Sequence, residues 1–345
     1  MSSSAGYRWI HRVWYEGDAS YVALLPLTAL FFLIVAIRRW LYSTGILKTT
    51  KINVPVIVVG NITAGGTGKT PTTIWLASEL QQRGFTPGIV SRGYGGSKSK
   101  SPMLVDADSD PAVVGDEPVM LARRSSCPVA VDADRVRAAE MLVGNGVDVI
   151  IADDGLQHYR LGRDYEICVI DGKRGLGNRF MLPAGPLREP LSRIPTVDQV
   201  FVNGDYPGNH ETISSVEQNA LKFDLIAGEA VRLNGSQSFP LERFANSTVH
   251  GVAGIGNPKR FFDLLRDAGM QVIEHAWPDH ATIGRKDVRF KDDFDVLMTE
   301  KDAVKFGTHA PDKVWYVPVD LEIDPLVSGP WLEQIESRLR GGSSD

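Results

Sequence analysis

Val54-Pro-Val-Ile-Val-Val-Gly60-Asn-Ile-Thr-Ala-Gly-Gly-Thr-Gly-Lys-Thr-Pro71 is the stretch on which the fold turns. Its first half is a short apolar run ending at a glycine, the pattern of a parallel strand buried on both faces. Its second half opens a helix: from Thr70 to Arg83 the apolar residues Ile74, Trp75, Leu76 and Leu80 share a face, and Gly84 stops the run. Pro71 is tolerated because the first helical turn has no hydrogen bond to lose. Between them, Gly65, Gly66 and Gly68 let backbone N–H groups converge on phosphate oxygens in front of a helix N-terminus. Thr63, Ala64, Gly65, Gly66, Thr67, Gly68, Lys69 and Thr70 therefore form a candidate nucleotide phosphate loop. Lys69 would reach the β- and γ-phosphates of ATP, and Thr70 would hold Mg²⁺. The usual pattern begins with glycine where this chain has Thr63. An ordinary glycine-rich turn is the plainer reading, but the strand–loop–Gly-Lys-Thr–helix order favours the phosphate loop.

Outward from this loop the chain alternates strand and helix. Gly88–Ser91, Val147–Ala152, Tyr165–Ile170 and Gln199–Val202 read as further strands. A second α/β unit has candidate strands Val249–Ala253, Gln271–Glu274, Val296–Thr299 and Val314–Val317, with helices Lys259–Ala268 and Lys301–Phe306. The expected class is α/β: a P-loop NTPase-like parallel-sheet domain over residues 46–222, a smaller α/β domain over 223–345 that closes the active-site cleft, and a membrane-anchoring helix within 1–45. The Gly341–Asp345 tail is expected to fray.

The 345 residues allow two domains, and 43% apolar with 23% charged residues excludes disordered and disulfide-scaffold classes. Cys127 and Cys168 form no Cys-x-x-Cys, which argues against structural zinc and suits a reducing compartment. Residues 1–51 hold six basic side chains and two acids, a net of +4, which leaves −9 on the rest of a chain whose total is −5. An acidic body is a poor nucleic-acid binder. No feature points to an obligate protein partner.

From Ser20 to Ile37 no residue is charged, enough for a helix of roughly 27 Å, close to a bilayer's hydrocarbon thickness. Tyr7, Trp9, Trp14 and Tyr15 precede it and Trp40 and Tyr42 follow, like the aromatic belts of membrane interfaces. Arg38-Arg39-Trp40 follows instead of a small-residue cleavage site, against a signal peptide. Residues 38–51 carry +4 and residues 1–19 sum to zero, so the positive-inside bias puts everything after residue 38 in the cytoplasm. Whether the helix spans the bilayer or lies half-embedded stays open.

Val147–Ala152 delivers Asp153 and Asp154 at a strand end, where an NTP site holds hydrated Mg²⁺. Asp-Asp-Gly is also a common turn. Then a longer pattern becomes specific. The phosphate loop, Ser91-Arg-Gly-Tyr-Gly95, Gly115-Asp-Glu-Pro118, Asp153-Asp-Gly-Leu-Gln-His158, Leu182-Pro-Ala-Gly-Pro-Leu-Arg-Glu189, Ala253-Gly-Ile-Gly-Asn-Pro258, Pro278-Asp-His280 and Thr299-Glu-Lys-Asp-Ala-Val-Lys305 occur in this order. From about residue 8 to about 335 the chain resembles the tetraacyldisaccharide 4′-kinases, the lipid A 4′-kinases. The resemblance implies ATP- and Mg²⁺-dependent phosphorylation of the 4′-hydroxyl of a tetraacylated glucosamine disaccharide 1-phosphate. It further implies two α/β/α domains with the site between them, at the cytoplasmic face of a Gram-negative inner membrane. An enzyme acting on a lipid headgroup also accounts for the anchor and its membrane-lipid contacts.

By the same resemblance Asp116 is the base that takes the sugar hydroxyl proton, and His280 pairs with it across the cleft. Read alone, Asp116 is a helix N-cap before Glu117-Pro118, and His280 a surface residue. Arg92, Tyr94 and Gln157 are expected to contact substrate. Glu189 is expected to help hold Mg²⁺, with Arg188 as its ion-pair partner and a substrate contact. Thr299–Asp302 also reads as plain capping chemistry. Two other classes compete: a membrane-associated P-loop ATPase of the signal or partitioning type, which usually has lysine where this chain has Ala64, and a nucleotide-sensing scaffold that binds without turnover.

Overall fold

The computed structural model describes residues 2–94, 96, 101–205, 220–279, 281, 283–306 and 313–341. His280 and the tail beyond residue 341 lie outside the described residues.

The opening stretch forms β1 (Val56–Gly60) and α3 (Lys69–Gln82). In chain order the other strands of the first sheet are β2 (Pro87–Ser91), β3 (Met103–Val105), β4 (Val129–Val131), β5 (Val149–Asp153), β6 (Tyr165–Asp171), β7 (Gln199–Asn203) and β8 (Leu221–Ala227), joined at the end by β15 (Val319–Glu322). The order across the sheet is β15-β8-β7-β6-β1-β5-β2-β4-β3. The seven strands from β8 to β4 run parallel, and β3 and β15 are antiparallel edges. β1 lies between β5 and β6, where the chain winds away in opposite directions. Such a switch point leaves a crevice at the strands' C-terminal ends.

Because side chains alternate across a strand, Ile57 and Val59 enter one apolar layer and Val56 and Val58 the other. The first layer packs Leu76 and Leu80 of α3 and Val119 and Leu121 of the helix Asp116–Ser125. The second packs Ala138, Ala139 and Leu142 of the helix Arg135–Gly144. Cys127 and Cys168 are both free and buried, and burial pushes their thiols up to about 11 and about 12, so they are inert packing residues.

The second sheet has β9 (Ala230–Arg232), β10 (Ser238–Phe239), β11 (Thr248–Ala253), β12 (Gln271–Ala276), β13 (Asp295–Thr299) and β14 (Val314–Val317), in the order β10-β9-β14-β13-β11-β12. Phe261, Phe262 and Leu265 of the helix Pro258–Asp267 cover one face, and Ala303 and Phe306 the other.

The expected division at 222/223 needs correction. The second sheet begins at Ala230 and ends at Val317, and then the chain goes home. β8 and β15 pair antiparallel with each other and extend the first sheet. The helix Pro325–Gly341 places Trp331, Leu332, Ile335 and Leu339 in the first domain's core. Trp331 stacks on Trp75 at 6.1 Å, meets Phe201 at 5.2 Å, and donates its indole N–H to the Tyr165 hydroxyl at 2.8 Å. Trp331→Ala is expected to cost about 3–5 kcal/mol. Urea denaturation would measure it, and a loss under about 1 kcal/mol would mean that this helix contributes little to the first core.

At the N-terminus, α1 (Ser2–Tyr15) and α2 (Tyr21–Ser43) precede the sheet. α2 is 23 residues, about 35 Å, longer than the uncharged run because it continues through Arg38 to Ser43. Among the described residues it is the one helix long and apolar enough to cross a membrane. Leu30, Leu33, Ile37 and Trp40 are exposed on it. Its other side is fastened to the body: Thr28 donates to the Met181 carbonyl at 3.3 Å and accepts from the Ala184 N–H at 3.0 Å, and Phe31 and Val35 pack on the second apolar layer.

Candidate active site

Gly65 and Gly68 adopt φ of 102° and 105°, a left-handed backbone that L side chains rarely take. The loop they permit is held from three sides. The Asn61 amide donates to the Thr63 carbonyl at 2.8 Å, the Asn203 amide to the Thr67 carbonyl at 3.1 Å, and the Arg174 guanidinium to the Gly66 carbonyl. The Thr63, Gly66 and Thr67 carbonyls are thereby occupied. The Thr67 hydroxyl, buried there, has no hydrogen-bond partner among the described residues, as expected of a group waiting for a ligand oxygen. A Cβ on Gly68 would sit 3.1 Å from the Asn203 amide nitrogen and 3.2 Å from Phe223 Cζ. Gly68→Ala is therefore expected to cost about 1–3 kcal/mol of loop strain and to weaken ATP binding by at least roughly tenfold. Calorimetric titration with ATP checks this, and unchanged affinity would exclude the loop as the phosphate cradle.

A cleft of about 1070 Å³ starts at this loop. Gly65 to Thr70 line it, whereas Thr63 and Ala64 do not. Those two are instead tied to the segment 182–189: Thr63 bridges Leu187, and the Ala64 N–H donates to the Pro186 carbonyl at 2.7 Å. The same segment meets α1 and α2, since Trp14 donates its indole N–H to the Pro183 carbonyl at 2.9 Å and Thr28 bonds Met181 and Ala184. Leu182–Glu189 thus couples the apolar helix to the phosphate loop.

The two aspartates separate. Asp153 is buried behind the loop and accepts from Thr73 of α3 at 3.0 Å. Burial, Glu117 and Asp154 push its carboxyl up to about 7. Asp154, with φ of 47°, turns into the cleft, 3.6 Å from Lys69 Nζ and 3.1 Å from Arg188 Nη1. Burial alone would raise its pKa, but Lys69, Arg188 and Arg135 outweigh that and hold it ionised well below the usual carboxylate range. Arg135, a residue the sequence reading passed over, is buried and donates to the backbone carbonyls of both aspartates at 3.1 and 2.9 Å.

The expected Arg188–Glu189 pair does not form, because each side chain is taken by other partners. Arg188 serves Asp154. Glu189 is 1% exposed and accepts from the Gln157 amide at 3.0 Å and the Tyr159 hydroxyl at 2.6 Å, with Arg193 Nε at 3.4 Å. It would reach a metal only by giving up Gln157 or Tyr159. Arg92, Tyr94 and Gln157 line the cleft.

Asp116 is buried at the first residue of its helix. Gly115, at φ 95°, occupies the capping position instead, yet Asp116 Oδ1 still accepts the Glu117 N–H at 2.9 Å. Its Oδ2 lies 3.6 Å from Lys305 Nζ. Lys305 belongs to the second unit, as do three other groups that cross the cleft. Lys301 bonds Glu117 at 2.8 Å, Glu300 accepts from Arg124 at 2.6 Å, and Arg260 donates to Asn203 at 2.7 Å. Thr299 does cap its helix, accepting from the Asp302 N–H at 3.3 Å. The capping reading of Thr299–Asp302 is therefore right but incomplete, since Glu300 and Lys301 also tie the two units together.

The sequence profile of the family described as Tetraacyldisaccharide-1-P 4′-kinase matches residues 20–339. The tetraacyldisaccharide 4′-kinase of Nitrosococcus oceani is 48% identical over 91% of this chain and 90% of its own length. That of Alkalilimnicola ehrlichii is 48% identical over 92% of both. The chain belongs to the tetraacyldisaccharide 4′-kinase family. Among solved structures, LpxK from Aquifex aeolicus in complex with ATP superposes with a TM-score of 0.74 and 27% identity, covering 92% of this chain and 99% of that one. Family membership displaces the signal-type ATPase and the scaffold, and the second α/β unit, foreign to a bare phosphate-loop domain, belongs to the same kinase architecture.

The donors present fit the ATP and Mg²⁺ expected of this family. Mg²⁺ takes hard oxygens, usually one or two protein ligands with the rest from phosphate and water. The Thr70 hydroxyl and the Asp154 carboxylate line the cleft beside the loop. Asp153 lies behind them.

Proposed function

We propose that this chain transfers the γ-phosphoryl group of ATP to the 4′-hydroxyl of a tetraacylated glucosamine disaccharide 1-phosphate. One observation carries the reading: a single cleft runs from the phosphate loop to α2 and is lined by both. A triphosphate bound at one end thus faces a lipid headgroup presented at the other.

In this reading the N–H groups of residues 65–70 and the Lys69 ammonium bind the phosphates. Thr70 and Asp154 hold Mg²⁺, which supplies charge neutralisation when bound; Asp153 stands behind them. Asp116 accepts the proton of the 4′-hydroxyl as its oxygen bonds to the γ-phosphorus. The bond from that phosphorus to the β–γ bridging oxygen breaks, and ADP leaves. Lys305, 3.6 Å away, stands beside the Asp116 carboxylate, and His280 is assigned to pair with it. Arg92, Tyr94, Gln157 and Arg188 position the sugar and its phosphates. The ties at Glu117, Arg124 and Asn203 hold the two units closed and exclude water, which suppresses ATP hydrolysis.

The exposed face of α2 is proposed to sit in the cytoplasmic leaflet of the inner membrane, with the body in the cytoplasm. Two features support a half-embedded helix over a spanning one. Thr28, Phe31 and Val35 are packed against protein, and the cations after residue 37 suit an anionic surface. Detergent-solubilised protein with γ-labelled ATP and tetraacyldisaccharide 1-phosphate is expected to yield a labelled bis-phosphorylated glycolipid. Label in free phosphate alone would support an ATPase, and no turnover a scaffold.

A further inference from the structure

Asp171 ends β6, and in the parallel register of β6 with β7 it sits opposite Asn203. Both residues are buried, at the C-terminal ends of neighbouring strands of the first sheet. A carboxylate there is costly unless cations meet it. Two do. Arg174 donates its Nε–H to Asp171 Oδ2 at 3.2 Å and its backbone N–H to Oδ1 at 3.2 Å. Arg260, from the helix Pro258–Asp267 of the second unit, brings Nη1 to 3.9 Å from the same Oδ2. None of these three residues takes part in the proton or phosphoryl steps above.

Each guanidinium has a second arm, and both arms lead to the phosphate loop. Arg174 Nη2 donates to the Gly66 carbonyl. Arg260 Nη2 donates to Asn203 Oδ1 at 2.7 Å, which fixes which end of that amide faces the loop, and Asn203 Nδ2 donates to the Thr67 carbonyl at 3.1 Å. One buried carboxylate thus sets two consecutive loop carbonyls through two arginines. The arginines come from different quarters of the molecule. Arg174 belongs to the segment on which the last turn of α1 rests: its guanidinium carbon lies 5.8 Å from the centre of the Tyr15 ring, and the Asn178 N–H donates to the Trp14 carbonyl at 2.8 Å. Arg260 comes with the second unit, whose Gly256 is so near the loop that a Cβ there would lie 3.3 Å from the Gly66 nitrogen.

Resting on the kinase reading, we infer that Asp171 is a positioning residue for the ATP phosphates: it orients Arg174 and Arg260, which hold the Gly66 and Thr67 peptide units in the conformation that grips the nucleotide. Because Arg260 reaches Asn203 from the second unit, the loop is fully held only while the two units are together. Asp171 and Asn203 therefore convert closure into tighter ATP binding. A buried ion pair that serves stability alone is the competing role, and it predicts no selective effect on ATP.

The test uses the full chain in detergent micelles, with calorimetric ATP titration and steady-state KM for ATP and for the acceptor glycolipid. Asp171→Asn, Arg174→Met and Arg260→Met are each expected to weaken ATP binding roughly tenfold, the scale of one lost charge-assisted contact, and to raise KM for ATP alike. KM for the acceptor should stay within about twofold of the parent's. Asp171→Asn combined with Arg260→Met should bind ATP about as weakly as Asp171→Asn alone, because both changes break one chain of contacts. Arg266→Met, on the same helix but paired with Asp263 at 3.0 Å on the surface, should bind ATP as the parent does. Parental ATP affinity in Arg260→Met or in Arg174→Met would overturn the inference. So would a double variant whose losses multiply, or KM for ATP and for acceptor rising together. Should Asp171→Asn fail to fold, the two arginine variants decide by themselves, since each must weaken ATP binding selectively. An unmodified protein that binds no ATP defeats the kinase reading on which the inference rests.

Discussion

Alanine at Lys69 is expected to lower turnover by roughly 10³-fold, the scale seen when one preorganised donor to a developing charge is removed. The argument rests on placement. Lys69 is the first residue of α3, so its ammonium and the helix N-terminus act on the same phosphates. The side chain is 12% exposed and its ammonium lies 3.6 Å from Asp154, so it is held in the cleft instead of waving in solvent. Removing it leaves Asp154 with Arg188 and Arg135 as counter-charges, so the fold should survive with a thermal midpoint close to the parent's. Phosphoryl transfer to glycolipid, followed with labelled ATP, is the measurement. A Lys69→Ala protein with parental turnover would exclude this loop as the catalytic phosphate site.

Asn at position 116 is expected to lower kcat by about 10²- to 10⁴-fold, the range for loss of a general base, with KM for ATP and for the acceptor little changed. Asn is the informative substitution because its carbonyl oxygen can still accept the Glu117 N–H, so the start of the helix Asp116–Ser125 is preserved. It cannot take a proton. Near-parental turnover in Asp116→Asn would reduce Asp116 to the local backbone role and leave the proton with another group.

The site was legible where chemistry is local in sequence and obscure where it is not. Gly65 to Thr70 form a single turn between one strand and one helix, so a short pattern carries strand, turn and helix together. Asp154 and Gln157 follow a strand end and reach the cleft for the same reason. The roles of Arg135, Glu117 and Lys301 were not legible because each acquires its role only through a partner far along the chain. Lys301 meets Glu117 across 184 positions. The pairing of Arg188 with Asp154 instead of Glu189 depends on which distant groups the folded chain brings to each side chain, and nothing in the adjacent letters fixes that.

By itself the sequence determined the class of fold, the nucleotide loop, the apolar helix and the family, because strand and helix periodicity, glycine placement and charge are properties of neighbouring residues. Tertiary structure alone decided the rest. It returned the last strand and helix to the first domain, where Trp331 finds Trp75 and Phe201. It turned Asp154 into the cleft and Asp153 behind it. It laid one stripe of α2 along the cleft that begins at the phosphate loop. These outcomes rest on packing and ion pairs between distant segments, whose energies exist only once the chain has closed on itself.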